Sequence, residues 1–260
     1  MFFQIVSFLA LYLFLTNAYA IVNVDSLHLG KNKPGFEAGI KLGFSGASGT
    51  TDRFRVNSSA NAQWNTEKAD HLSRLYYLNL NYAYGESRGT KDQDKAFLHA
   101  RRIDDISRHL SWELFSQVEY DTFSRLNFRG LFGGGIRFGG PTLNERQLTY
   151  LGLGGFFSRE EIKTVTGSND SGQFDIARGN IYLLERFEVT KKFSIFETLY
   201  LQPALDEPKD YRILNIFGFQ VSVSDKLSIS FTLEQTHDNR PPQQVDKTNS
   251  IYFSSLNYRF

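Results

Sequence analysis

Cysteine is absent from the 260 residues, methionine occurs once and proline six times. Without cysteine the chain can form neither a disulfide framework nor the lipid-carrying cysteine of a lipoprotein. A net charge of +1 without any basic block argues against nucleic acid as a partner. Beyond the first twenty residues, no apolar run approaches the roughly 18 residues of a membrane-spanning helix. Stability must therefore come from packing or from a membrane.

The first twenty residues, MFFQIVSFLALYLFLTNAYA, have the pattern of a secretory signal. An apolar run precedes Ala18 and Ala20, which have the A-x-A spacing of a cleavage site. The run is too short to cross a bilayer as a helix. We therefore predict a cleaved signal peptide at residues 1–20, followed by a periplasmic N-terminal segment at 21–34.

Aromatic residues are abundant, with 24 Phe and 13 Tyr, yet the mean hydropathy is −0.35. This combination is rich in strand formers but polar on average. From residue 35 onward the chain alternates between apolar and polar positions, as where Tyr76, Leu78 and Leu80 alternate with Asn79 and Asn81. A period of two predicts β-strands. Twelve such segments are expected, near residues 36–46, 53–65, 72–85, 95–104, 109–121, 125–138, 146–158, 174–189, 193–203, 210–223, 226–237 and 248–260.

The connections between these segments alternate in length. Those after the even-numbered segments are short, as in TKK and SDK, whereas several others are long and polar, as in GESRGTKDQD, SREEIKTVTGSNDSGQ and DNRPPQQVDK. Short turns at one rim and long loops at the other are typical of outer-membrane barrels. We predict that residues 35–260 form an all-β fold, a single antiparallel transmembrane β-barrel of about 12 strands, with short periplasmic turns and longer extracellular loops.

A soluble sandwich or a lipocalin-like barrel is the alternative, because alternation alone does not tell which face meets the solvent. Aromatic residues crowd the segment ends, as in the interface girdles of membrane barrels, and this favours the membrane barrel. The last stretch, SIYFSSLNYRF, resembles the C-terminal signature of bacterial outer-membrane barrels. That resemblance implies that Tyr258 and Phe260 are read by the barrel-assembly machinery and that the last strand closes on the first.

Longer stretches resemble one known family. They are EYDTFSRLNFRGLFGGGIRF at 119–138, LTYLGLGGFFSREE at 148–161 and HDNRPPQQVDKTNSIYFSSLNYRF at 237–260. They are similar to the family of salt-induced outer-membrane proteins, a domain of unknown function, over most of the mature chain. The resemblance implies an outer-membrane location in a Gram-negative bacterium, with membrane lipids and lipopolysaccharide as partners. It implies no particular activity.

If the apolar faces meet lipid, the polar faces line the lumen. The turn positions predict that Arg101 lies opposite Glu113, and that Arg129 lies opposite Gln117 and diagonal to Glu119. A network that fills a narrow lumen is favoured over a selectivity filter. The predicted lumen-lining residues are Arg101, Glu113, Gln117, Glu119, Arg129, Arg137 and Arg178.

A pair of carboxylates, Glu185 and Glu197, would face each other across one hairpin, on the face that carries Leu183 and Phe187. Like charges directly opposed are unfavourable, and more so near lipid. We favour a bulge or another strand register, which would separate them. The alternative is a pair that shares a proton or a cation.

A hydrolase is the competing function. Asp92 and Asp94 in one predicted loop and His237 and Asp238 at the start of another could meet at the extracellular rim, although solvated loop charge is favoured. The sequence has no G-x-S-x-G elbow, Walker loop or metal-ligand histidine spacing, so we predict no cofactor and no metal. The favoured function is a narrow or gated pore for small solutes or ions, or a plugged structural barrel, with a link to osmotic stress that rests on the family's name.

Overall fold

The computed structural model describes residues 34–49, 52–67, 72–142, 146–170 and 172–260. The predicted signal peptide at 1–20 and most of the segment at 21–34 lie outside these ranges. The described chain is built from strands. They are β1 (Gly35–Ala47), β2 (Arg53–Glu67), β3 (Ser73–Ser87), β4 (Thr90–Ser107), β5 (Leu110–Asp121), β6 (Leu126–Thr142), β7 (Gln147–Ile162), β8 (Gly172–Glu188), β9 (Phe193–Pro203), β10 (Tyr211–Ser222), β11 (Leu227–Asp238) and β12 (Thr248–Arg259).

Each strand pairs antiparallel with its neighbours in sequence, and β12 pairs with β1, so that the sheet closes into a barrel of 12 strands. Closure leaves no free sheet edge. We call the rim that holds the connections β2–β3, β4–β5, β6–β7, β8–β9 and β10–β11 the turn end. The opposite rim, which holds the other connections, is the loop end. The predicted all-β antiparallel barrel is therefore confirmed.

The last strand closes the barrel as the sequence predicted. Gly39 on β1 pairs with Arg259 on β12, and the Phe260 amide donates a hydrogen bond of 3.1 Å to the Ala38 carbonyl oxygen. The rings of Tyr258 and Phe260 meet edge to face with centroids 5.0 Å apart. Recognition of these two residues by an assembly machinery stays a prediction.

The faces of the strands carry opposite chemistry. Large apolar side chains such as Phe36, Leu80, Phe132 and Phe157 are exposed on the outer face, with Phe132 62% exposed. Polar and charged side chains of the same strands are buried on the inner face. A soluble barrel would have the reverse arrangement, since contiguous apolar surface on this scale requires a partner that covers it.

One sector of the lumen is filled by apolar side chains. A buried cluster joins inward residues of β8, β9 and β10 and is flanked by Leu148 and Tyr150 of β7. Glycine makes room for it: a Cβ atom at Gly152 would overlap the ring of Tyr182. The members of the cluster are Tyr182, Leu184, Phe196, Tyr200, Leu214 and Ile216.

One predicted loop is wrong. The polar stretch GESRGTKDQD at 85–94 forms a hairpin, in which β3 runs to Ser87 and β4 begins at Thr90. Arg88 and Gly89 make the turn with positive φ angles of 50° and 73°. Consecutive positive φ angles are typical of the tight type I′ hairpin turn, which lets the strands continue past the polar residues.

Candidate functional site in the barrel lumen

The predicted lumen-lining residues all lie on the inner face of the barrel. Bonds between strands that are not neighbours establish this orientation. Tyr182 on β8 donates a hydrogen bond of 2.9 Å from its hydroxyl to Glu113 on β5, although β6 and β7 separate these strands in the sheet. Such a bond can form only through the interior. The strand alternation then places Gln117, Glu119, Arg129, Arg137 and Arg178 inside as well.

A middle bridge crosses the lumen from β4 and β5 to β8. Arg101 Nη1 lies 3.7 Å from Glu113 Oε2, and the Arg101 guanidinium lies 5.6 Å from the ring centroid of Phe115. The same guanidinium lies 5.9 Å from the Tyr182 ring. Both charged side chains are almost fully buried. A buried charge of either sign is stable only where it is paired, so the bridge is a fixed element of the interior.

The two predicted strand registers in this region are wrong by two residues. Arg101 pairs with Phe115, because Arg108 and His109 form the turn and a bulge lies between Asp105 and Ser107. Arg129 pairs with Glu119, because a 3-10 turn at Thr122–Ser124 and a second bulge precede β6. A shift of two residues keeps every side chain on its face, so the contacts of Arg101 with Glu113 and of Arg129 with Glu119 form nonetheless.

A second bridge spans the lumen near the loop end. Glu160 on β7 accepts hydrogen bonds from Arg212 on β10 at 2.7 and 3.0 Å, and from Arg129 on β6 at 3.2 Å. Arg129 also donates to Glu119 at 2.7 Å, and Arg212 donates to Asp238 at 2.8 Å. The five charged groups are at most 8% exposed. We call these five residues the charged bridge.

A third ion pair holds the β9–β10 connection against the lumen. Arg178 on β8, which is 1% exposed, donates to Asp210 Oδ1 at 3.0 Å and to Asp210 Oδ2 at 3.2 Å. The parallel donation by one guanidinium to both carboxylate oxygens is the strong bidentate form of this contact.

Arg125 ties three connections of the loop end together. Its guanidinium donates to Asp170 at 2.8 Å, to the Gln243 carbonyl at 2.6 Å, to Ser168 at 2.9 Å and to the Lys163 carbonyl at 3.0 Å. Asp170 also accepts from the Gln243 amide. We call this set, Arg125, Lys163, Ser168, Asp170 and Gln243, the loop latch. It holds the β11–β12 loop, residues 239–247, against the β7–β8 loop.

The loop latch sets the acidity of Asp170. Partial burial acts to raise the pKa of this carboxyl, but the hydrogen bonds from the Gln243 amide and from Arg125 outweigh it and lower the pKa below the ordinary value.

The loops cover a cavity of about 270 Å³ whose lining includes Arg178, Arg212 and Pro241. The charged bridge forms part of its floor.

The rim residues are not brought together. Asp92 accepts a hydrogen bond of 3.1 Å from Arg55, and Asp94 contacts Lys91 at 2.8 Å on the outer face. His237 stacks on Tyr211 with ring centroids 5.4 Å apart, whereas Asp238 belongs to the charged bridge. Asp92 and Asp94 lie on β4 rather than in a loop. The four side chains are held by separate partners and form no acid and histidine constellation.

Glu185 and Glu197 do face each other. They are direct partners in the pairing of β8 with β9, and the described register of these strands runs without a shift. The favoured bulge or alternative register is therefore wrong. Thr149 on β7 donates a hydrogen bond of 3.4 Å to Glu185. This contact lies on the outer face of the sheet, whereas Leu184 and Phe196 are buried on the inner face.

Several residues of the lumen were missed from the sequence. Glu160 and Asp210 were placed in or beside loops, while Arg125, Tyr182 and Arg212 were not singled out. The clearest signal in the sequence was alternation along one segment, where polar residues occupy every second position at Arg178, Asn180 and Tyr182.

Within the described residues, no group of His, Asp and Glu side chains could hold a metal ion. No helix in the described part of the chain is long and apolar enough to span a membrane.

Comparisons with known proteins agree with this architecture. A family model described as a protein of unknown function, DUF481, matches residues 40–260. No curated protein matches the sequence. Among solved structures, an outer membrane channel from Pseudomonas putida F1 superposes with a TM-score of 0.55 at 10% identity, covering 92% of this chain and 100% of that one.

Two further structures superpose on this chain with lower TM-scores. The translocator domain of the autotransporter NalP from Neisseria meningitidis gives a TM-score of 0.41 at 13% identity over 89% of this chain and 91% of that chain. The KdgM porin, solved with disordered oligogalacturonate, gives 0.44 at 8% identity over 86% of this chain and 99% of that chain. At these identities the likeness extends to the barrel fold alone.

Proposed function

The chain belongs to the family described as a protein of unknown function, DUF481, and we propose that it is a narrow, gated channel of the bacterial outer membrane. The observation that carries the proposal is the charged bridge. Its ion pairs cross the lumen between β6, β7 and β10, and the loop above it is held by the loop latch. Loops move within nanoseconds to microseconds and lids open within microseconds to seconds, so such a rearrangement does not require the barrel to unfold.

The outer face supports the membrane location. Exposed apolar side chains cover it, and aromatic residues such as Trp64, Phe138 and Phe187 are exposed near the turn end. Trp64 and Tyr76 lie 6.3 Å apart between ring centroids. Aromatic residues at the membrane interface are typical of outer-membrane barrels. The proposal includes contact with membrane lipids and lipopolysaccharide, export through a cleaved signal peptide at residues 1–20, and insertion by the barrel-assembly machinery.

A plugged structural barrel is the second candidate. The apolar cluster and the middle bridge favour it, because both occupy the lumen between the two ends with little exposed surface. The hydrolase hypothesis loses its support, since Asp92 and His237 have separate partners. A role in osmotic or envelope stress rests on the family resemblance, and growth of a deletion strain at high salt tests it.

Single-channel recording distinguishes the two candidates. The folded protein is inserted into planar bilayers with a salt gradient, and current is recorded as a function of voltage. Reproducible steps with a defined reversal potential are expected from a gated channel. Silence from a protein that is demonstrably folded and inserted would support the plugged barrel and reject the channel.

A further inference from the structure

A cavity of about 550 Å³ opens at the turn end of the lumen. Inward residues of β1, β2, β8, β10, β11 and β12 surround it, together with the turns at residues 189–192 and 223–226. Pockets of this size accommodate small organic ligands. The cavity lies at the end of the barrel opposite to the charged bridge and the loop latch.

Positive charge dominates the lining. The basic lining residues are Lys41, Arg186, Lys191, Lys192, Lys226 and Arg259. The acidic lining residues are Glu37 and Asp225, and Glu37 already accepts a hydrogen bond of 2.9 Å from Gln63. A concave surface of one sign, walled by protein of low dielectric, concentrates solutes of the opposite charge.

Arg186 in this cavity differs from four other arginines of the lumen. Arg101, Arg129, Arg178 and Arg212 each lie within 4.0 Å of a carboxylate oxygen. Within the described chain, Arg186 forms no such ion pair, although β8 directs it into the lumen two residues beyond Leu184. The fold therefore leaves the Arg186 guanidinium without a direct ion pair among the described residues.

One buried N–H group of Arg186 has no hydrogen-bond acceptor among the described residues. Its Nε atom is inaccessible to solvent and has no hydrogen-bond partner among the described residues. Arg259 adds a like charge near the Arg186 guanidinium, although the opposite charge of Glu188, two residues along β8, acts on it more strongly. A buried donor without an acceptor is unfavourable, and an oxyanion beside the guanidinium would supply the acceptor.

We propose that the cavity at the turn end binds small solutes that carry a carboxylate or phosphate group, with Arg186 and Arg259 as the principal ligands. The planar guanidinium matches both oxyanions with parallel hydrogen bonds. Asn61, Gln220 and Asn257 add neutral polar groups for the remainder of such a solute. This inference deepens the proposed channel by naming the solute class, but the binding itself does not require conductance.

Isothermal titration of the folded full chain in detergent tests the site, with inorganic phosphate, succinate and neutral sucrose as probes at low ionic strength. Saturable binding of phosphate and succinate but not of sucrose is expected. Affinity should fall about tenfold or more in R186Q and in R259Q, since each loses charged hydrogen bonds. R186K should retain part of the affinity, because it keeps the charge and loses the planar fork.

Arg159→Gln is the matched control. Arg159 pairs with Asp175 at 2.8 Å on the exposed outer surface and does not line the cavity, yet its loss changes the net charge equally. It should bind the probes as the unaltered chain does. Absence of saturable binding, unchanged affinity in R186Q and R259Q, or an equal loss in R159Q would each overturn the proposal.

The two proposals fail separately. Binding without any channel activity would reject the gated channel and leave the anion site. Channel activity without anion binding would reject the site and leave the channel. Near-ultraviolet and far-ultraviolet circular dichroism of each variant establishes that lost binding does not reflect a lost fold.

Discussion

The guanidinium of Arg212 on β10 donates hydrogen bonds of 2.7 and 3.0 Å to the carboxylate of Glu160 on β7. The strands β8 and β9 lie between them in the sheet, so the pair spans the lumen. Arg129 approaches the same carboxylate from β6. The charged bridge thus ties distant strands of the barrel together across the lumen.

Glu160→Gln should destabilise the barrel by about 3 kcal/mol or more, because removing one member of a buried network leaves the charges of Arg129 and Arg212 poorly compensated. Urea unfolding in lipid vesicles measures the change. Glu161→Gln is the control, since Glu161 lies on the opposite face and contacts Asn127 near the surface at 3.1 Å. Equal stability of the two variants would contradict the role assigned to Glu160.

Gly152→Ala should destabilise the barrel by about 1–3 kcal/mol, the usual cost of overpacking a filled interior. The added methyl group would overlap the ring of Tyr182, whose hydroxyl donates a hydrogen bond to Glu113. Gly46→Ala is the control, because a Cβ atom there meets only the Arg53 carbonyl oxygen at 3.5 Å. Thermal unfolding of both variants compares the effects, and an unaffected G152A would show that Tyr182 moves without cost.

Most of the fold could be predicted from the sequence, because strand period and turn composition are local signals. The count of strands followed from alternation and turn composition, and the inward faces of Arg101, Glu113 and Arg129 followed once the apolar faces were assigned to lipid. The exact partners did not, since the bulges near Asp105 and Glu119 shift the register by two residues without changing any face. The charged bridge needs contacts between β7 and β10, which depend on barrel closure and leave no local signal.

Glu197→Gln should stabilise the barrel by about 1 kcal/mol. Glu185 and Glu197 are direct cross-strand partners on the outer face, where like charges repel and a charge near lipid is costly. Glu185→Gln should act in the same direction, and the double variant should gain less than the sum because the repulsion is removed once. Additive gains in unfolding free energy would show that the two carboxylates do not interact.

The loop latch should weaken in acid. The pKa of Asp170 in the fold lies below its ordinary value, so its contribution is fully present above about pH 4 and is lost as pH falls through the folded-state pKa. Hydrogen exchange of the Gln243 amide should therefore lose protection at low pH. Asp170→Asn should reduce protection at neutral pH and abolish this pH dependence, and an unchanged acid response in D170N would assign it to another group.

Arg125→Gln should release the β11–β12 loop, because it removes donors to Asp170, to Ser168 and to the Gln243 carbonyl. Cleavage by trypsin after Lys247 in this loop should become faster than in the unaltered chain. Arg159→Gln, on the outer face, should leave the cleavage rate unchanged. Slow cleavage in R125Q would mean that other contacts suffice to hold the loop.

The most direct test of the gate is the single-channel conductance of a variant in which both partners are removed, Glu160→Ala with Arg212→Ala, compared with the unaltered chain. The matched control removes the exposed pair Arg159 and Asp175 on the outer face, which also leaves the net charge unchanged. If the charged bridge closes the lumen, the first variant will show larger or longer-lived open steps, while the control will conduct as the unaltered chain does. Identical conductance in all three folded proteins would contradict the gate.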